Sequence, residues 1–259
     1  MNVATRQLLQ RYADRFETAD FLEGDPSWFM HQVQGTANQE TMAFIAGSLS
    51  YGSRKQFLPK IQQLLDASRQ EPWEWVRSGA FATDIPDDSR CFYRLYTNHT
   101  MHAFLQTLRE LIGEYGSLGD MAAHAAARGD AGKGHALNIL LALGTYFKQR
   151  GLTGIVPQPV SSLCKRPCMF LRWMVRDHSP VDLGLWADRI DKRTLFIPMD
   201  THVMQTARQL GLITTRSASW STGVALTHAM EEAFPDDPAR GDYALYGASA
   251  LDINTHSNT

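Results

Sequence analysis

Apolar residues recur along this chain at helical spacing, and turn residues rather than alternating strands break the recurrence. Leu8, Leu9, Tyr12 and Phe16 mark one face of a helix over Val3–Phe16. Asp25-Pro26 supplies an N-cap and a first-turn proline for a short helix over Ser27–Val33. Met42, Phe44, Ile45 and Leu49 define a buried helix over Asn38–Leu49, and Tyr51-Gly52-Ser53 breaks it before the pattern resumes over Arg54–Leu65. Pro72 opens a short helix carrying Trp73 and Trp75; Asp87 or Asp88 caps another running through Tyr96. Helices over His99–Glu114, Leu118–Ala127 and Gly134–Gln149 follow.

Two glycines and two prolines make Gly151–Ser162 (GLTGIVPQPVSS) the clearest linker. Beyond it the pattern predicts a helix over Lys165–Arg176, a short element near Asp182–Trp186, and helices over Thr201–Leu210, Ala218–Phe234 and Arg240–Leu251. The polar tail, residues 252–259, is expected to be disordered. Thr194–Ile197 is the only strand candidate. Many helices joined by short loops imply an all-α fold.

The 259 residues are enough for one large domain or two small lobes, and 44% hydrophobic with 20% charged is an ordinary globular balance. No apolar run reaches the roughly 18–20 residues of a membrane span, and the polar N-terminus lacks a signal-peptide core. The expected location is therefore cytoplasmic. Three cysteines (Cys91, Cys164, Cys168) do not make a disulfide framework or a four-ligand metal set, so the Cys164/Cys168 pair reads as core filling and no cofactor is expected. The net charge of −2 hides an asymmetry. From Val160 to Arg216 nine Lys and Arg face five Asp, a local +4 that suits a phosphate backbone.

Two groups in that basic stretch carry candidate chemistry. Pro167 fits only a first helical turn, which places Lys165 at a helix N-terminus, where the dipole disfavours a cation. Neutralising a lysine at physiological pH takes about 4 kcal/mol, against the ~0.3–1 kcal/mol of a helix dipole. A nucleophilic Lys165 therefore needs a pocket, not only a helix end. Asp200 follows Pro198 and precedes an amphipathic helix, so it reads as an N-cap. A capped carboxylate is held ionised and fixed, which suits stabilising a cationic transition state. His202 is the other titratable group there.

The segment IPMDTHVMQTARQLGL resembles the helix start that carries the catalytic aspartate in the helix-hairpin-helix DNA glycosylase superfamily, and CKRPCMFLRWMV lies where that superfamily has its nucleophilic lysine. Together with the late DPARGDYALYG, these segments also resemble an uncharacterised bacterial family related to the archaeal 8-oxoguanine DNA glycosylases. The likeness runs from about Phe44 to Tyr246. It departs at the hairpin, where VPQPVSSLCK lacks the two usual glycines, and no four-cysteine iron–sulfur loop is present. The resemblance implies one helical domain over residues 1–259, with two lobes facing a central cleft. It implies that Lys165 and Asp200 are catalytic, that Tyr51, Met169, Phe170, Asp242 and Tyr246 hold the displaced base, and that Arg54, Arg166, Arg172, Arg176 and His202 contact DNA.

The implied activity is excision of a damaged purine, oxidised purines included, from double-stranded DNA through a lysine Schiff base, by a monomer that is nucleoid-associated when bound. Two other readings remain at this point: a DNA-binding protein on the same fold without catalysis, and a helical interaction protein unrelated to nucleic acid.

Overall fold

Short polar side chains start helices where the periodicity predicts them. Asn2, Thr97, Ser117, Asp200 and Ser219 each accept a hydrogen bond from a first-turn backbone N–H. The computed structural model describes residues 1–256. In chain order it has α1 (Val3–Phe16), α2 (Thr36–Leu49), α3 (Arg54–Ala67), α4 (Pro72–Ser78) and α5 (Phe81–Asp84). A hairpin of β1 (Cys91–Tyr93) and β2 (Tyr96–Thr97) leads into α6 (Asn98–Tyr115), α7 (Leu118–Arg128) and α8 (Gly134–Lys148). The second part holds α9 (Lys165–Val175), α10 (Thr201–Gln209), α11 (Trp220–Glu231) and α12 (Gly241–His256). The fold is all-α, and no described helix is long and apolar enough to cross a membrane.

Four expectations are corrected. The helix predicted from Asp87 or Asp88 through Tyr96 is the β-hairpin instead, because Phe92, Tyr93 and Tyr96 favour a pleated surface and Asp88 ties the hairpin's base by accepting from Arg90 N and Asn98 Nδ2. Thr194–Ile197 is not a strand: Ile197 N donates to the Thr227 hydroxyl rather than to a ladder partner. Asp182–Trp186 forms no regular element. The tail expected from residue 252 continues α12 as far as His256, and residues 257–259 lie outside the described residues.

Buried side chains fall into two clusters. The larger draws mostly on the elements from α2 through α9, with Phe44 in aromatic contact with Phe104, Phe147 and Phe170. Gly47 lies where α2 meets α9, and a Cβ there would make an ordinary contact, 3.4 Å from the Trp173 ring. The smaller cluster joins Leu9 and Ala13 of α1 to Ala207, Leu226, Met230, Ala244 and Leu245 of α10, α11 and α12.

Helix α9 has one face in the larger cluster and another toward the smaller. Arg172 and Arg176 lie seven and eleven residues beyond Lys165, each within about 20° of it and about 40° from each other on a helical wheel. All three meet carboxylates from the second cluster's elements or the loops beside them. Arg172 pairs with Asp182 (3.2 Å) and Asp242; Arg176 pairs with Asp182, Asp237 (2.9 Å) and Glu17 (2.8 Å). Both arginine side chains are 2% exposed. Burial alone would pull these guanidiniums toward the neutral form, but the surrounding carboxylates, Asp182 foremost, hold them firmly charged. The Tyr243 ring lies 4.5 Å from Arg172 and 5.4 Å from Arg176, and its hydroxyl donates to Asp182 at 3.0 Å.

Removing one member of a buried pair strands the other. Asp182→Asn is expected to lower unfolding stability by about 3–5 kcal/mol in urea titrations. A loss below about 1 kcal/mol would show that the remaining carboxylates suffice.

Candidate active site

The Gly151–Ser162 linker shapes the approach to α9. Pro159-Val160 forms a turn in which Val160 is left-handed (φ 71°) and 76% exposed, and the Ser161 and Ser162 hydroxyls both donate to the Gln158 carbonyl. Cys164 is left-handed as well (φ 53°), and from it α9 begins at Lys165. The segment thus adopts, at two non-glycine residues, a backbone that glycine adopts most easily. Cys164 and Cys168 are buried free thiols; contact between them and burial push the Cys168 thiol up.

Asp200 lies where α10 begins. Its Oδ1 accepts from Val203 N at 2.9 Å, and its Oδ2 accepts from Lys165 Nζ at 2.6 Å. The two expected catalytic residues, 35 positions apart, are therefore in direct contact. Their side chains are 38% and 30% exposed, so the pair is reachable from solvent. Burial pushes the Asp200 carboxyl up, but the Lys165 ammonium, the Val203 N–H and His202 together bring it below the ordinary carboxylate value. Asp242, on α12, accepts from Arg172 and feels the charges of Lys165 and Asp200. Burial, helped by those neighbouring carboxylates, pushes its carboxyl up despite Arg172 and Lys165. One site thus holds a lysine and two carboxylates whose proton affinities are driven apart.

The remaining expected residues divide. Tyr246, one turn beyond Asp242, is 39% exposed, and its ring is 5.0 Å from Phe21. Tyr51 is 36% exposed beside α9, with the Arg94 and Arg166 guanidiniums 5.1 and 5.8 Å from its ring. His202 is exposed in the first turn of α10. Arg54 is half-exposed and pairs with Asp25 at 3.3 Å. Met169 lies on the same face of α9 as Lys165 but is buried at 9%.

Four expected roles fail on geometry. Arg172 and Arg176 cannot reach phosphate, because both are enclosed by carboxylates. Arg166 turns inward, with its terminal nitrogens on Ser48 O, Tyr96 Oη and Gly154 O, each at 2.8 Å. Phe170 is 1% exposed and wedged between Phe44 and Trp186, so it is core rather than base contact.

Sequence reasoning missed Asp182, Asp237, Glu17 and Tyr243, which set the charge behind the site. None carries a local signature; only the DPARGDY run brackets Asp237 and Tyr243. Phe21, half-buried between Tyr243 and Tyr246 with both ring centroids 5.0 Å away, was also missed.

The sequence pattern of a family described as "Protein of unknown function (DUF2400)" matches residues 25–251. That span includes Lys165, Asp200 and Asp242. No curated protein and no solved structure matches the chain.

Asn caps a helix about as well as Asp but carries no charge, so Asp200→Asn isolates the ion pair from the cap. With a folded value lowered below about 3.9, the Asp200 contribution is complete at neutral pH and lost only as pH falls through that lowered value. Thermal melts should show a wild-type advantage over Asp200→Asn of at most about 1 kcal/mol, given partial screening, flat from about pH 8 to 5 and shrinking below about 4. An advantage that instead grows on acidification would contradict the ion pair.

Proposed function

We propose that this chain, which belongs to the DUF2400 family of proteins of unknown function, is a DNA glycosylase with abasic-site lyase activity, acting on a damaged purine in double-stranded DNA. The observation that carries the reading is the 2.6 Å contact of Lys165 Nζ with Asp200 Oδ2 at the meeting of the two clusters. The likeness of the PMDTHV and CKRPCMFLRWMV segments to helix-hairpin-helix glycosylases supports it, and the two-cluster helical architecture is compatible with that fold.

The chemistry follows from the arrangement. The target nucleotide leaves the stack, because its C1′ is unreachable inside the duplex. Asp200 accepts a proton from the Lys165 ammonium along their hydrogen bond. The freed lone pair attacks C1′ as the bond to the base breaks, and the base departs with a proton. Asp200, protonated in the first step, is the source of that proton and becomes a carboxylate again. The C1′ adduct opens to an iminium as O4′ takes a proton. Loss of a C2′ proton expels the 3′-phosphate, and water then releases Lys165. Through these steps the Asp200 carboxylate faces the developing positive charge, and the Val203 N–H holds it in place. Tyr51 and Tyr246 are the exposed rings beside the site that offer stacking, while Arg54 and His202 are the surface groups for phosphate.

Borohydride trapping on duplexes carrying damaged purines, 8-oxoguanine among them, and on preformed abasic sites tests the reading. Wild type should form a covalent adduct and Lys165→Ala none. Asp200→Asn, its cap intact, should react about 10²–10³-fold more slowly. Undiminished crosslinking by Lys165→Ala would end the assignment.

A further inference from the structure

A cleft of about 310 Å³ opens at the C-terminal end of α9. Its walls are Glu17 at the end of α1, Arg176 and Asp177 at the end of α9, Lys192, and the segment from 234 to 237 ahead of α12. Lys165 begins the same helix eleven residues earlier, about 16 Å away along its axis. The cleft is therefore separate from the Lys165–Asp200 pair, and the chemistry described there makes no use of it.

Every Lys and Arg in the wall already has a carboxylate partner. Arg176 meets Asp182, Asp237 and Glu17, and Lys192 meets Asp177 at 2.6 Å. Arg240 meets Asp14 at 2.7 Å and Glu17 Oε2 at 2.8 Å. His178, at the rim, lies 3.4 Å from Asp177. An anionic ligand would have to compete with these carboxylates for each cation.

The acids are not used up in the same way. The Glu17 side chain is 6% exposed, and its Oε1 is one of three buried side-chain polar atoms among the described residues that no hydrogen-bond donor reaches. Arg176 Nη2 lies 2.8 Å from it, near enough for attraction but with no N–H directed along the contact. Burial pushes the Glu17 carboxyl up, but the Arg176 and Arg240 guanidiniums bring it below its ordinary value, so it is ionised at neutral pH. A buried, ionised oxygen without a donor is costly unless a group from outside the chain supplies one. Asp236 is exposed at the rim and enters no ion pair among the described residues, since nearby Arg193 is held by Asp191. Four carboxylates face three Lys and Arg across the cleft, a net −1.

The missing partner is thus a cation that carries N–H donors. No three metal-ligating side chains converge among the described residues, so the donor set does not suit a bare metal ion. The volume, and the apolar surfaces of Phe234 and Pro235 in the wall, suit an organic amine.

We propose that this cleft binds a linear aliphatic diamine. One ammonium donates to Glu17 Oε1, the methylene chain lies along Phe234 and Pro235, and the second ammonium meets Asp236 at the rim.

Titration calorimetry of the full chain with diaminobutane, at neutral pH and low salt, tests the site. Binding should be saturable, with one ligand per chain and a sub-millimolar Kd. Fully N-methylated diaminobutane keeps both charges but has no N–H, and it should bind at least about tenfold more weakly. Asp236→Asn should weaken diaminobutane about threefold. Asp188→Asn removes an equal charge from outside the cleft and should change binding by less than about twofold. Glu17→Gln should abolish saturable binding; if that variant does not fold, Asp236→Asn and the methylated ligand decide. Absence of saturable binding overturns the site. So does equal affinity for the methylated ligand, or equal weakening by Asp188→Asn and Asp236→Asn, because either would reduce the binding to diffuse charge attraction. Borohydride trapping by Lys165 is read separately, so the glycosylase reading stands or falls independently of these results.

Discussion

The cationic stripe of α9 is the constraint on which the rest of the structure depends. Arg172 and Arg176 sit almost wholly out of water, and such charges are tolerable only when carboxylates surround them. Those carboxylates come from the end of α1, the loop after α9, the segment before α12, and α12 itself. Because each arginine needs several partners at once, the smaller cluster has little freedom to slide along α9. The apolar contacts hold each cluster together, and the ion pairs fix the register between them.

Lys165 occupies the open end of the same stripe. Its register is set by Arg172 and Arg176 deeper in, whereas its own pair with Asp200 remains partly exposed. The gradient is from enclosed, saturated charges to a reachable one, along a single helix. Arg172 also ties the buried network to the site by holding Asp242, so the carboxylate with the raised proton affinity and the one with the lowered affinity are positioned by the same framework.

On the other flank, Arg166 is a clamp rather than a surface cation. It joins the end of α2, the hairpin and the linker through three hydrogen bonds, which makes Tyr51, the hairpin tip and the start of α9 one unit. Arginines at positions 166, 172 and 176 look alike in a basic run of sequence, yet all three face inward. Arg54, Lys55 and Arg94, by contrast, are exposed.

Local chemistry was enough to determine the helices, because spacing and capping act over a few residues. The sequence also placed Lys165 at a helix start and Asp200 at an N-cap for that reason. It misread the hairpin, where an aspartate able to cap a helix was weighed above three aromatics able to pair as strands. What only the tertiary structure decided is which charges meet: Arg176 with Glu17, Arg172 with Asp242, Lys165 with Asp200. These partners are far apart along the chain, and a charged side chain has the same local signature whether water or a carboxylate surrounds it. Burial is a property of the packed assembly, so the arginines enclosed within it could be told from the exposed ones only there.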